Sequence, residues 1–345
     1  MATRTTPSIR DAVDQYLETR ATEIAAQSYI GERTLLARFV AYCPDKQVGR
    51  LTRDDLEGFV RALKRGDAKA GCRKPNGNGA VSLAMGRVRG FLAWSSRKGW
   101  CGGDLMDGAK PPKRGPRRDF LRLPAGELLQ MLEDAKHPRD RGILAMGMNT
   151  GLRSSELTGL PLGAIDLERS EFFVYITKTQ VTDYMPITLD LDGELRRWLA
   201  YYQSQCGPLQ SHWFAFPAKG PDRFVSRGHT TSGQLRPSVK FAHAHRVVQR
   251  SLLDLGYTEQ QTEHEGFHTL RRSVARLYFD SLTAQGYDSA LRQTSALLHH
   301  SSTLTTEIYL GLDMERAQRD VKLKGMPFLT AMVPQVANLR DISNG

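Results

Sequence analysis

The sequence predicts a mainly α-helical protein with a small antiparallel β-sheet, divided into a helical N-terminal domain and a larger α+β domain. Three observations predict it. Apolar residues recur at helical spacing along most of the 345 residues. One pair of short runs rich in aromatic and β-branched residues interrupts that pattern near the middle. A basic stretch rich in proline and glycine separates two segments that are each long enough for a core of their own.

The elements follow in order. Ile9, Val13, Tyr16 and Leu17 share a helix face, as do Leu35, Leu36, Phe39, Val40 and Cys43. Thr52 is a cap candidate with Asp54 and Asp55 in the first turn of a helix reaching Leu63, where acids suit the positive end of the dipole. Residues 71–79, with Pro75 and Asn76, break the pattern before a last helix marked by Val81, Met85, Val88 and Leu92. A bundle of three or four helices over residues 1–109 is expected. Residues 110–118 read as a basic interdomain linker, and residues 119–325 as the second domain.

In that domain a helix starts after Pro124, and the apolar stretch 139–149 reads as a buried helix stopped by Gly151. Phe172-Phe173-Val174-Tyr175-Ile176 and Tyr184-Met185-Pro186-Ile187 read as a hairpin joined by a loop over residues 177–183, with Lys178 at the end of the first strand. Helices are expected near 192–205, 234–255, 268–282 and 289–298, and a charged amphipathic one over 313–324. Residues 326–345 form a tail whose Met326, Phe328, Leu329, Met332, Val333, Val336 and Leu339 need a surface to cover.

Charge is unevenly placed. The chain carries +11 with a pI near 9.6. Residues 1–118 hold 23 Lys and Arg against 12 Asp and Glu, whereas residues 119–345 hold 25 of each. Within the first part, residues 61–118 hold 15 against 3. A polyanion with regularly spaced phosphates is the natural partner of such a stretch. Arg87, Arg89, Arg97, Lys98, Lys113, Arg114, Arg117 and Arg118 are the candidate contacts. An anionic membrane surface fits less well, because no exposed apolar helix face accompanies the charge.

Other classes are disfavoured. The start of the chain lacks a signal peptide's apolar segment, and no apolar run approaches a membrane span, which leads one to expect a cytoplasmic protein. Cys43, Cys72, Cys101 and Cys206 form no C-x-x-C pair and read as free thiols; His243 and His245 lack partner ligands, so no metal and no cofactor is assigned.

Four stretches carry chemistry in order: Thr150-Gly151-Leu152-Arg153-Ser154-Ser155-Glu156-Leu157, then Lys178, then His268-Thr269-Leu270-Arg271, then Leu298-His299-His300-Ser301-Ser302 with Tyr309. Together they resemble the tyrosine recombinase family, the phage integrases. That family places an Arg in a T-G-x-R-x-x-E-like box, a Lys on a β-hairpin, an H-x-x-R box, a second His, and a Tyr nine residues later. Two positions depart from it: His299 stands where the family usually has glycine, and Arg272 where a His often follows the H-x-x-R box. The resemblance covers roughly residues 118–325 and implies a tyrosine-recombinase catalytic domain behind a helical core-binding domain.

It also implies roles. Cleaving a phosphodiester without a metal requires a nucleophile, a proton donor for the leaving 5′ oxygen, and cations for the pentacovalent transition state. Arg153 and Arg271 would be those cations, each guanidinium fork holding non-bridging oxygens in a way that a lysine cannot. Tyr309 would attack phosphorus and keep the 3′ end. Lys178 would protonate the 5′ oxygen, His268 would orient the phosphate or share proton transfer, and His300 would bond a non-bridging oxygen. Glu156, three residues after Arg153, would fix an active-site cation.

The implied partners are double-stranded DNA attachment sites, a homotetramer on two duplexes formed from monomers, and an accessory DNA-bending or directionality factor. With Ile9 already in the first bundle helix, a compact recombinase without a separate arm-type domain is expected. Integration of a phage or other mobile element is the leading role. A Xer-like role in chromosome-dimer resolution is the alternative, and a type IB topoisomerase or a non-catalytic DNA-binding protein stands further off. The insert at residues 207–265 and the Leu-His-His variant favour a mobile element.

Overall fold

The computed structural model describes residues 6–102, 105, 110–113, 115, 120–176, 180–220, 223–225, 229–231, 233–300 and 302–312. Lys178, Arg114, Arg117, Arg118 and everything beyond Leu312, including the expected helix 313–324 and the tail 326–345, lie outside the described residues. The chain forms two compact units, residues 1–118 and 119–345.

The first unit contains α1 (Ile9–Glu23), α2 (Ala26–Tyr42), α3 (Arg53–Arg65) and α4 (Asn78–Arg97). Each helix turns its apolar stripe inward, so Ile9, Leu36, Phe39, Val81 and Phe91 reach zero exposure. Phe39 meets Phe59 edge-on at 5.2 Å between ring centroids, a geometry that places a positive ring edge on a negative face. At the start of α3, Thr52 Oγ1 accepts from the Asp55 backbone N–H at 3.3 Å, and Asp55 accepts from the Thr52 N–H at 2.9 Å. Among the described residues of this unit, one carboxylate is buried. Glu32, 1% exposed, accepts from the Tyr16 hydroxyl at 2.8 Å, from Arg87 at 3.4 Å and from Arg20 at 3.5 Å.

The second unit runs α5 (Ala125–Glu133), α6 (Pro138–Thr150), α7 (Ser154–Thr158), β1 (Ile165–Asp166), β2 (Glu171–Ile176), β3 (Val181–Pro186) and α8 (Leu189–Cys206). It continues through β4 (Pro217–Lys219), β5 (Arg223–Val225), β6 (His229–Thr231), β7 (Leu235–Lys240), α9 (Ala244–Asp254), α10 (Glu259–Thr262), α11 (Phe267–Leu282), α12 (Tyr287–Leu297) and α13 (Thr303–Leu310). Helix α6 is the central rod, with α8 and α11 packed on it. Gly147 makes the second packing possible: a β-carbon there would stand 2.6 Å from the Phe267 ring. Against α6, Trp198 of α8 is buried and donates its indole N–H to the Ala215 carbonyl at 2.9 Å.

Two expectations are corrected. The hairpin loop is shorter than residues 177–183, because β3 already starts at Val181, paired with Ile176. Gln180 has φ of +56° and returns its N–H to the Ile176 carbonyl at 2.8 Å. The helix expected over 234–255 begins only at Ala244. Its first part is strand β7, antiparallel to β4, where Pro237 cannot serve a helix interior but its carbonyl accepts from the Phe214 N–H at 3.1 Å. The described residues therefore hold the sheet β1-β2-β3 and two further two-stranded pairs, β4-β7 and β5-β6. Among them, no helix is long and apolar enough to cross a membrane.

Candidate active site

The ends of helices build the site. Helix α6 stops at Gly151, whose φ of +61° is left-handed and suits a residue without a β-carbon, and α12 stops at Leu298. Carbonyls at such ends have no partner in their own helix and carry its partial negative charge. Arg271 takes one from each: its guanidinium donates to the Gly151 and Leu298 carbonyls. It is 1% exposed, so these bonds are what keep a charge in that place. Burial first, then the neighbouring Arg153, pushes its pKa down to about 10, which leaves it cationic at neutral pH.

Arg153 is the N-cap residue of α7. Glu156, at the third helical position, accepts the Arg153 backbone N–H with one oxygen at 2.8 Å and its guanidinium with the other at 2.9 Å. A buried carboxylate thus fixes both ends of Arg153, whose side chain remains 19% exposed.

Tyr309 lies near the end of α13, which Gly311 closes in a left-handed turn. Its hydroxyl stands 2.8 Å from His268 Nδ1 on α11, within the electrostatic reach of Arg271. Burial raises the phenol's pKa, and Arg271, Arg272 and Arg153 pull it back only in part. His268 moves the other way, lowered by burial and then by Arg271, Arg272 and Arg153. The pair is therefore a neutral phenol and a neutral imidazole at pH 7. With the imidazole proton on Nε2, Nδ1 is the acceptor for the phenol's proton.

The adjacent histidines part company. His300 lies with its ring centroid 5.4 Å from that of Tyr309, and its Nδ1 is 3.0 Å from Thr306 Oγ1. His299 turns to β3, with Nε2 2.6 Å from Asp183.

Arg153, His268, Arg271, His300 and Tyr309 thus come together. Arg272, noted in the sequence only as a departure, is drawn in as well: it pairs with buried Glu265, covers the Phe120 ring at 4.7 Å and lowers the Tyr309 phenol. Glu265 also accepts from the Leu121 N–H at 3.2 Å and from Thr269 at 2.6 Å, tying the entry of the chain to α11. Glu265 lies two residues before α11 begins at Phe267, so no helical spacing in the sequence signalled the pair.

The candidate DNA contacts divide. Arg89 and Arg97 are exposed on α4, Lys98 caps that helix over the Trp94 ring at 5.5 Å, and exposed Lys113 runs beside its first turn, its carbonyl accepting from Asn78 at 2.7 Å. Arg87 instead leans in towards Glu32.

This combination of a helical unit with an α+β unit holding a tyrosine among arginines and histidines defines a class, the tyrosine recombinases. Residues 122–316 match the model of the phage integrase family, more than half of the chain, and the protein belongs to that family of enzymes that cleave and rejoin DNA. It is 29% identical over 318 residues to tyrosine recombinase XerC of Pseudomonas syringae, covering 88% of this chain and 93% of that protein. It is 30% identical over 300 residues to XerC of Azotobacter vinelandii, covering 85% and 88%. Among solved structures, a lambda integrase dimer bound to a COC′ core site aligns with a TM-score of 0.61 at 17% identity, covering 87% of this chain and 94% of that one. The Tn1549 transposon integrase with circular intermediate DNA gives 0.59 at 13% identity, covering 91% and 99%. At these identities the structural likeness speaks for the fold.

Proposed function

We propose that this chain is a site-specific recombinase that cuts double-stranded DNA attachment sites with Tyr309 and rejoins them through a 3′-phosphotyrosyl link. The observation that carries it is the Tyr309 hydroxyl 2.8 Å from His268 Nδ1, in the field of the buried Arg271 cation. In the cleavage step the phenolic oxygen bonds to phosphorus and its proton passes to His268 Nδ1. The bond from phosphorus to the 5′ oxygen breaks, and Lys178 supplies that oxygen's proton. Arg153, Arg271 and His300 hold the non-bridging oxygens as charge builds on them. The phosphotyrosyl bond conserves the energy of the broken one, so a 5′ hydroxyl can reverse the step without a nucleotide cofactor or a metal.

The first unit would bind the duplex through Arg89, Arg97, Lys98 and the basic residues 113–118, and four protomers on two duplexes would exchange strands, assembled from monomers in the bacterial cytoplasm with an accessory DNA-bending factor. Of two roles, integration of a phage or other mobile element is favoured by the segment 207–265, with its own small sheets, and by Leu298-His299-His300. The XerC relatives favour a second, chromosome-dimer resolution. Incubation with the DNA flanking its own gene, nicked near the crossover, should trap a covalent adduct. An adduct only on a chromosomal dimer-resolution site would select the second role, and none on either would overturn the recombinase reading.

A further inference from the structure

His299 occupies a left-handed backbone position, φ +49°, which glycine enters freely and a β-carbon disfavours. A glycine is what the family resemblance leads one to expect there, so the imidazole needs its own explanation. Its side chain is 13% exposed, and Nε2 donates to Asp183 at 2.6 Å. Nδ1 is enclosed without a hydrogen-bond partner among the described residues, which leaves the bond to Asp183 to orient the ring. Asp183 pairs across the hairpin with Val174, and antiparallel partners share a face. Val174 is 2% exposed and Met185, two residues along, 5%. The carboxylate therefore stands in the same row of β3 as Met185, its side chain 45% exposed, at the rim where that row leaves the core.

We infer that His299 and Asp183 form a clamp between the β2-β3 hairpin and the turn that leads into His300 and the Tyr309 helix. In sequence, Asp183 lies five residues after Lys178 and His299 one residue before His300. The clamp joins the strand that follows the acid to the segment that carries the nucleophile. His299 and Asp183 are positioning residues: they touch no reacting atom and act through the placement of the proton donor for the 5′ oxygen. This rests on the reading of Lys178 as that donor.

The test uses the full chain on a nicked duplex that traps the adduct, with the scissile 5′ oxygen either natural or replaced by sulfur. A thiolate leaves without a proton, so the sulfur substrate bypasses the acid. Asp183→Ala and His299→Gly should each slow cleavage of the oxygen substrate about 10- to 100-fold, the scale of a small misplacement of reacting groups. The double variant should be no slower than the slower single one. All three should cleave the sulfur substrate at the parental rate. His299→Gly relieves the left-handed backbone, so a loss in that variant does not come from misfolding. Equal slowing on sulfur, multiplying losses in the double variant, or no loss on oxygen would each overturn the clamp. Lys178→Ala separates the two ideas. If sulfur rescues it, the acid reading stands and the oxygen-against-sulfur rates of the clamp variants decide the clamp. If sulfur does not, the acid reading fails, and the clamp is judged on the oxygen substrate alone, supported by a non-additive double variant and overturned by an additive one.

Discussion

Arg271 has two helix-end carbonyls as partners and is buried, whereas Arg153 has one carboxylate and partial access to solvent. That difference grades what each substitution does. Arg153→Lys and Arg271→Lys should both lose at least about 100-fold in cleavage rate, because a point charge cannot replace the fork. Only Arg271→Lys should also lower the denaturant midpoint, since it leaves buried carbonyls short of donors. Tyr309→Phe should abolish the adduct and leave DNA binding nearly unchanged, which a gel shift beside a denaturing gel measures; a surviving adduct would move the nucleophile elsewhere. The pH dependence follows from His268. A lowered pKa means that the neutral base persists further into acid, so the acid limb of kcat/KM for cleavage should lie below 6.5, the ordinary imidazole value, and vanish in His268→Gln. At this scale the sequence displayed each motif side chain, because its spacing within a helix is local. It could not display the approach of His299 to Asp183, whose positions are 116 residues apart, nor separate the facing of two adjacent histidines.

Among elements, periodicity located the helices whose stripes are clean, and Thr52 and Gly151 marked real ends of theirs. It misplaced β7, since Leu235-Arg236-Pro237-Ser238-Val239-Lys240 has too few apolar residues for either period to dominate, and Pro237 was the one local clue. It started β3 late because Val181-Thr182-Asp183 lacks the alternation that the other half of the strand shows. Helix α4 illustrates how packing sorts a charge cluster that looks uniform in sequence. Replacing Arg89, Arg97 and Lys98 by alanine should weaken binding to all DNA sequences and lower the slope of log K against log salt by about 0.9 for each phosphate left without its cation. Arg87→Ala should chiefly destabilise the first unit, by about 1–3 kcal/mol, because Glu32 is deprived of a donor while staying buried. Titrations at several salt concentrations and urea unfolding separate the two effects. An Arg87→Ala chain of unchanged stability would return that residue to the phosphate-binding set.

For the whole molecule, the division into two units was legible in the charge, with an excess confined to residues 61–118 and a near-balanced remainder. Assembly was legible only as a need. Residues 326–345 carry large apolar side chains from Met326 to Leu339, more than a segment meant for water retains, and they must be covered by their own unit or by another copy. In the proposed tetramer the second choice has a geometric advantage, because each protomer offering a segment to the next is a head-to-tail arrangement, and such arrangements close into a ring. It also has a chemical one. Tyr309 lies 17 residues before Met326, so seating the segment on a neighbour would make the placement of the nucleophile depend on that neighbour's presence. A chain ending at Lys324 should then fold and bind a single half-site with the parental affinity, yet fail in cooperative filling of the second half-site and in strand exchange. If the segment covers its own unit instead, the shortened chain should unfold at lower denaturant while any half-site it binds still fills cooperatively. A gel-shift titration on the full site, read beside a urea unfolding curve, gives opposite results for the two arrangements.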